Sequence, residues 1–384
     1  MSIDLIALRH ELHRHPEVSG FEAQTAGRIA RQLRELSPDH LIEGLGGHGI
    51  AAVFEGPKSG PTVLLRCELD ALPIVERAAV PYRSQRLGVA HLCGHDGHMA
   101  IMVGVAERLT LEPPRAGRVV LLFQPAEETG AGARAVIADQ RFQAIKPDYA
   151  FAIHNMPTMA VGEYAITDGL MNCASCGVDI LLAGREAHAA TPETGASPAA
   201  LIGELIAYFS EFNRGECAAD VGFSRATVTH IQMGMPTFGI APGQARLCVT
   251  LRTSSTDALN IALADVMRMI TLRAQQHGLE TEISTSDRFD AVLNDAEAVA
   301  LIDASAKQVG LQMGEFELPM RASEDFGTFS GYAKTALILL GAGKAHPMIH
   351  DPMYDFPDAL IPKGVALFSH VIEQLNGLKL VQPH

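Results

Sequence analysis

The feature that most constrains the fold is a set of short apolar runs, each rich in branched residues and bounded by turn formers. Pro61–Arg66 (PTVLLR), Gly117–Phe123 (GRVVLLF), Asp148–Ile153 (DYAFAI) and Thr335–Leu340 (TALILL) lack the alternating polarity of a strand with one wet face. Such runs read as strands buried on both sides. Helical stretches lie between them, among them Met99–Leu109 and Gly132–Ala138. Near the start, Ser19-Gly20-Phe21-Glu22 has capping-box spacing, and Ala26, Ile29, Ala30, Leu33 and Leu36 recur at helical intervals, predicting an amphipathic helix over roughly 20–36. Apolar strands alternating with helices predict an α/β domain, a mostly parallel sheet covered by helices on both faces.

The middle of the chain changes character. Gly177–Ala183 reads as a strand, 197–213 as a helix, Arg225–Gln232 and Gln244–Arg252 as strands, 256–277 as a long helix and Glu280–Ser284 as a last strand. That order, β-α-β-β-α-β, is the ferredoxin-like pattern. It places an inserted α+β domain at 177–288, with the first domain built from 1–176 and 289–384. The 384 residues suffice for two domains, and 47% hydrophobic against 19% charged residues allows large cores.

A formal net charge of −14 argues against nucleic-acid or anionic-membrane partners, both of which select basic surface. Met1-Ser2-Ile3-Asp4-Leu5 has neither the basic start nor the apolar stretch of a secretory leader. No apolar run approaches the about 20 residues that span a bilayer. Six cysteines in a chain this long do not make a disulfide framework, so a reducing cytoplasm is the expected location.

In open α/β sheets, ligands bind outside the carboxyl ends of the strands. Asp70 follows the first apolar run, Glu127 and Glu128 the second, and His154 the third, while His91-Leu92-Cys93-Gly94-His95-Asp96 opens a helix. Segments remote in sequence thus deliver carboxylate, imidazole and thiolate to one sheet edge. Cys93 and His95 have the donor chemistry of a metal pair, and Asp96 is placed to accept the other N–H of an imidazole. Glu127 and Glu128 point different ways, so one carboxylate can hold a cation while its neighbour faces the water that the cation acidifies; metal-assisted hydrolysis needs both. Alone, each has an ordinary reading: a buried cysteine beside a surface histidine, a charged pair on a solvated loop, a polar residue at a strand end. His350, in the Pro-rich Met348-Ile349-His350-Asp351-Pro352, is equally weak alone. Together they are far more specific.

With these residues in this order, the chain resembles the aminoacylase-like di-metal metallopeptidase family of hippurate hydrolases, bacterial N-acyl-amino-acid amidohydrolases and plant auxin-conjugate hydrolases. The matching segments are Arg9-His10-Glu11-Leu12-His13-Arg14-His15-Pro16-Glu17, Asp70-Ala71-Leu72-Pro73-Ile74, His91–His98, Gln124–Glu128 and Ala152-Ile153-His154. Gly184–Ala190, Ser323-Glu324-Asp325-Phe326 and His350–Phe356 complete the series, which covers nearly the whole chain. The resemblance implies two divalent metal ions held by Cys93, His95, Glu128, His154 and His350, with Cys93 as the bridge. Their donor set admits zinc, manganese, cobalt or nickel. It implies Glu127 as general base and later proton donor, and Asp70 as a residue that orients a ligand. It also implies that His188, in the inserted domain, reaches the active site of the partner subunit and holds the polarised carbonyl oxygen. The inserted domain then serves as lid and as the contact of a homodimer. Arg252, in Leu251-Arg252-Thr253, matches an arginine suited to grip a substrate carboxylate bidentately. The implied reaction is hydrolysis of the amide bond of a small N-acyl amino acid or a similar amide.

Two positions depart from the family pattern. Arg66-Cys67-Glu68-Leu69-Asp70 stands where Arg-Ala-Asp-Met-Asp is usual, and Phe238-Gly239-Ile240-Ala241-Pro242 stands where an Asn precedes Ile-Pro. Gly239 in place of that Asn removes an amide that would help bind substrate. A dipeptidase or carboxypeptidase acting at the same site, and a catalytically idle binding protein of the same fold, are the other readings; the intact set of candidate ligands weighs against the second. Cys173-Ala174-Ser175-Cys176 has redox spacing but no second cysteine pair for a zinc cage, and reads as structural.

Overall fold

The computed structural model describes residues 3–378; Met1 and Ser2, part of the stretch read for a leader, lie outside the described residues. The chain forms two compact units: Met1–Met171 with Val292–Leu318 and Asp325–His384, and Asn172–Ala291 with Pro319–Glu324.

The first unit is built on an eight-stranded sheet. Its strands β1 (His40–Leu45), β2 (Gly49–Glu55), β3 (Thr62–Glu68), β4 (Arg118–Gln124) and β5 (Tyr149–Pro157) lie in the order β1-β2-β4-β3-β5, continued by Lys334–Gly343, Glu163–Ala165 and Gln312–Met313. The central pairs β3–β4, β3–β5 and β5 with Lys334–Gly343 are parallel, while β1–β2 and β2–β4 are antiparallel. The central strands are buried almost end to end, as their unbroken apolar runs require. Of the helices α1 (Leu5–Arg14), α2 (Ala23–Glu35), α3 (His95–Leu111) and α4 (Gly132–Ala138), α3 packs against α1, α2 and the helix Leu360–Asn376. Two glycines allow the last contact: a Cβ on Gly104 would lie 2.6 Å from Val365, and one on Gly364 2.5 Å from Ile101.

Two local expectations are corrected. The helix α2 starts at Ala23, and Ser19 does not cap it; the Ser19 hydroxyl donates instead to Asp70 Oδ2 at 2.7 Å. The strand β5 does not stop at Ile153, because its parallel pairing with Lys334–Gly343 continues past His154↔Leu339. His154 is therefore fixed inside a strand. The helix α3 begins at His95, within the His91–Asp96 segment read as opening a helix, where Gly94 turns the chain with φ +95°.

The second unit has a four-stranded antiparallel sheet in the order Ser224–Met233, Gln244–Thr253, Ala174–Ala183, Glu280–Phe289. The helices Ala199–Glu211 and Thr256–Gln276 pack on it, giving the β-α-β-β-α-β order of the sequence reading. Alternate residues of Gln244–Thr253 are buried, as a sheet covered on one face demands. The segment Pro319–Glu324, assigned by sequence to the first domain, belongs to this unit. Cys173 N–H is shared between Met320 O (3.1 Å) and Ala322 O (3.2 Å), and the Ser323 hydroxyl donates to Cys173 O (2.7 Å). Among the described residues no helix is long and apolar enough to cross a membrane.

Leu65 is fully buried at the centre of β3. Leu65→Ala should cost about 2–5 kcal/mol in chemical denaturation, through lost burial plus the cavity it leaves. A loss below about 1 kcal/mol would show that the central strand is not the packed core described.

Candidate metal centre

The candidate ligands meet within the first unit at the carboxyl ends of its parallel strands. Asp70 lies just past β3, Glu127 and Glu128 in the turn after β4, His154 in β5, and His350 in the loop after Lys334–Gly343. Cys93 and His95 come from the segment that opens α3. Three overlapping sets have their donor atoms within 4.8 Å of one another: Cys93, His95 and His154; Cys93, Glu128 and His350; and His95, Glu127 and Glu128. Cys93 Sγ is 3.4 Å from His154 Nε2. His95 Nε2 is 3.8 Å from Glu127 Oε2 and 3.8 Å from Glu128 Oε1, and His350 Nε2 is 3.6 Å from Glu128 Oε2. Two donors of one tetrahedral cation, at metal distances of about 2.0–2.3 Å, sit about 3.3–3.8 Å apart. The spacing fits.

The orientation of the imidazoles fits as well. His95 Nδ1–H donates to the main-chain carbonyl of Asp70 at 2.8 Å, and His154 Nδ1–H to that of Asn155 at 2.8 Å. Each bond fixes the tautomer and leaves the Nε2 lone pair facing the cluster, which is how metal-ligating histidines are held. His95 Nε2 is buried and makes no hydrogen bond. Asp70 organises the rest: its Oδ2 accepts from Ser19 and from the Glu128 N–H at 3.0 Å.

The local field calls for positive charge. Burial opposes protonation of His95, but the carboxylates of Glu68, Asp70 and Glu128 outweigh it and push the imidazole up to about 10. Burial, reinforced by Glu128, Glu127 and Glu68, holds the Cys93 thiol well above its ordinary range. A divalent cation reverses the sign of both effects, displacing the proton from imidazole and ionising the thiol. The buried thiol, imidazole and carboxylate set therefore fits a metal cluster.

The backbone is strained at the same place. Ala126, which leads into the Glu127–Glu128 turn, has φ +49°, and His350 has φ +68°. Non-glycine residues persist in this left-handed region where the surroundings impose it, commonly at functional sites.

Several groups were not legible beforehand. Asp96 serves an imidazole, but that of His13 (Nδ1–Oδ2 2.8 Å) rather than that of a candidate ligand. His98 Nδ1–H donates to Glu68 Oε2 at 2.6 Å, and Glu68, His95 and His98 form a further grouping of donor atoms. Arg66 pairs with Glu68 and, at 2.5 Å, with Asp325 Oδ1, while Gln124 Nε2 donates to both Asp325 oxygens at 2.9 Å. Glu68, the departure from the family's Asp, thus spends its extra reach on Arg66 and His98. The sequence signals for this network were charge inside apolar strand runs and the place of His98 and Asp325 in family-matching segments.

His188 and Arg252 belong to the second unit. His188 is exposed and pairs in register with Ile240, so Gly239 adjoins it, and Gly239 O accepts from Ala189 N–H at 3.0 Å. Arg252 Nη1 donates to Arg321 O (2.7 Å) and to Ser323 Oγ (2.6 Å), and burial pulls its pKa down.

Comparison with known proteins gives the family. Residues 64–374 match Peptidase family M20/M25/M40. The chain is 29% identical over 368 residues to a hippurate hydrolase of Campylobacter jejuni, covering 94% of each protein. It is 29% identical over 370 residues to an N-acetylcysteine deacetylase of Bacillus subtilis, covering 96% of this chain and 95% of that one. Among solved structures, a Bacillus subtilis protein described as a dinuclear metal binding peptidase from the M20 family superposes with TM-score 0.78 at 25% identity, over 96% of both chains. A putative aminohydrolase from methicillin-resistant Staphylococcus aureus superposes with TM-score 0.81 at 25% identity, again over 96% of both. The match spans most of the chain and its range includes the candidate ligands: the protein belongs to peptidase family M20/M25/M40 and is a metal-dependent amidohydrolase.

Proposed function

We propose that the protein hydrolyses the amide bond of small N-acyl amino acids, with two divalent cations held by Cys93, His95, Glu128, His154 and His350. The observation that carries this reading is the meeting of thiol, imidazole and carboxylate donors within 4.8 Å, with Glu127 beside them. The hippurate hydrolase and N-acetylcysteine deacetylase relatives, named for N-acyl amino acids, support the substrate class. When bound, the cations would lower the pKa of a water and polarise the amide carbonyl. Glu127, largely buried and 3.8 Å from His95 Nε2, takes the proton from that water as it adds to the carbonyl carbon. The same carboxyl then protonates the departing nitrogen.

We assign His188 of the partner subunit to the developing oxyanion. Ala190 N–H donates to His188 Nδ1 at 3.0 Å, so Nε2 carries the proton and is a donor. Arg252, with no acidic side chain among its hydrogen-bond partners in the described residues, is assigned to the substrate carboxylate. A homodimer through the second unit is supported by its edge strand Ser224–Met233, where Ile231 and Met233 are exposed, and by exposed Met235 and Phe238 nearby. The six free cysteines support a reducing, cytoplasmic setting.

Glu127→Gln should lower kcat by about 10²–10⁴-fold on a panel of N-acyl amino acids while metal content stays at the wild-type level. Near-wild-type turnover would remove Glu127 from its role, and cleavage of dipeptides in preference to N-acyl amino acids would overturn the substrate class. Chelation should abolish turnover, and manganese or zinc should restore it. Ile231→Asp combined with Phe238→Asp should convert a sedimenting dimer to a monomer; a variant that stays dimeric would place the interface elsewhere.

A further inference from the structure

The proposed reaction makes no use of the N-terminal helix, yet α1 carries two buried side chains that each meet more than one carboxylate. Arg9 is fully buried. Its Nη1 lies 2.6 Å from Asp355 Oδ1 and 3.3 Å from Asp96 Oδ2, its Nε lies 2.9 Å from Asp358 Oδ1, and its guanidinium stacks 4.5 Å above the Tyr82 ring. One turn along, the equally buried His13 binds Asp96 Oδ2 through Nδ1 (2.8 Å) and Glu76 Oε1 through Nε2 (3.2 Å). The Tyr82 hydroxyl donates to Asp355 Oδ2 at 2.6 Å.

These partners sit beside the candidate ligands in sequence. Asp96 follows His95 directly, and Asp355 and Asp358 lie in the segment that follows His350. Tyr354, next to Asp355 and fully buried, accepts from Asn155 Nδ2 at 2.7 Å. The same Asn155 Nδ2 donates to the main-chain carbonyl of Cys93 at 3.0 Å, and Asn155 follows His154. A Cβ on Gly94 would lie 2.2 Å from Asn155 Oδ1, so this contact has no slack. From Arg9, a continuous chain of contacts therefore reaches the segments bearing Cys93, His95, His154 and His350.

Stability does not account for such a network. Desolvating a guanidinium and several carboxylates consumes most of what their attraction returns, and well-packed apolar residues often serve a core as well or better. What the network supplies is registry between segments distant in sequence.

We propose that Arg9 and His13 are positioning residues for the metal centre, acting through Asp96 and through Asp355 and Asp358 to fix the segments that carry its ligands. This rests on the ligand assignment of the proposed function. Cobalt(II) is the probe, since its affinity and its thiolate charge-transfer band report the geometry at Cys93. Arg9→Lys keeps the charge but cannot fork between three carboxylates, and Asp355→Asn keeps the side-chain shape at a partly exposed position. Both variants should bind cobalt about 10–100-fold more weakly, with a weakened charge-transfer band, while the circular dichroism and melting temperature of the metal-free protein stay near wild type. If Arg9→Lys does not fold, Asp355→Asn carries the test alone. Wild-type cobalt affinity and an unchanged band in folded Asp355→Asn would overturn the proposal, as would a fall in metal-free stability with affinity intact. Failure of the wild-type protein to take up cobalt would instead overturn the metal assignment, and this proposal with it.

Discussion

Negative charge crowded into a site largely removed from water is the constraint on which this structure turns. Glu68, Asp70 and Glu127 are buried and Glu128 nearly so, all close to His95. Carboxylates leave water only if something positive meets them. Arg66 and His98 answer Glu68, and the Ser19 hydroxyl and Glu128 N–H answer Asp70. Beside Glu127 and Glu128 stand His95 and His350, whose Nε2 atoms lie 3.6–3.8 Å from the carboxylate oxygens. A divalent pair bound there would satisfy the carboxylates, ionise the Cys93 thiol and take the imidazole lone pairs together.

The fold exists to hold that arrangement still. Parallel strands buried on both faces end at one edge, and the side chains that follow them need only short turns to meet. His154 gains rigidity by lying inside β5 rather than on a loop, and the tautomers of His95 and His154 are set by main-chain carbonyls, that of Asp70 just past β3 and that of Asn155 inside β5. The strained backbone at Ala126 and His350 marks two places where the chain bends to bring a candidate ligand in.

Much of this was legible in the sequence, because unbroken apolar runs identify buried strands and strand ends identify the site. Asp70, Glu127, Glu128 and His154 could be placed on one edge from those runs, and Cys93 and His95 from the helix opening beside them. The five-ligand set came from family resemblance, since a lone His350 in a Pro-rich loop carries no periodic signal. What escaped was long-range and polar. Ser19 reads locally as a helix cap, but Asp70 offers its hydroxyl a better partner across the unit. Arg9 and His13 enter the sequence reading only inside a family-matching segment, and nothing local reveals the Asp355 and Asp358 that meet Arg9 from the other end of the chain. The extra methylene of Glu68 becomes intelligible only once Arg66 and His98 are seen to share its carboxylate.

The most direct measurement is anomalous diffraction from crystals grown with manganese. Two peaks should flank Cys93 Sγ, one within bonding distance of His95 or His154 and the other of Glu128 or His350. Full occupancy at some other cluster, with no anomalous signal beside Cys93, would contradict the account at its root.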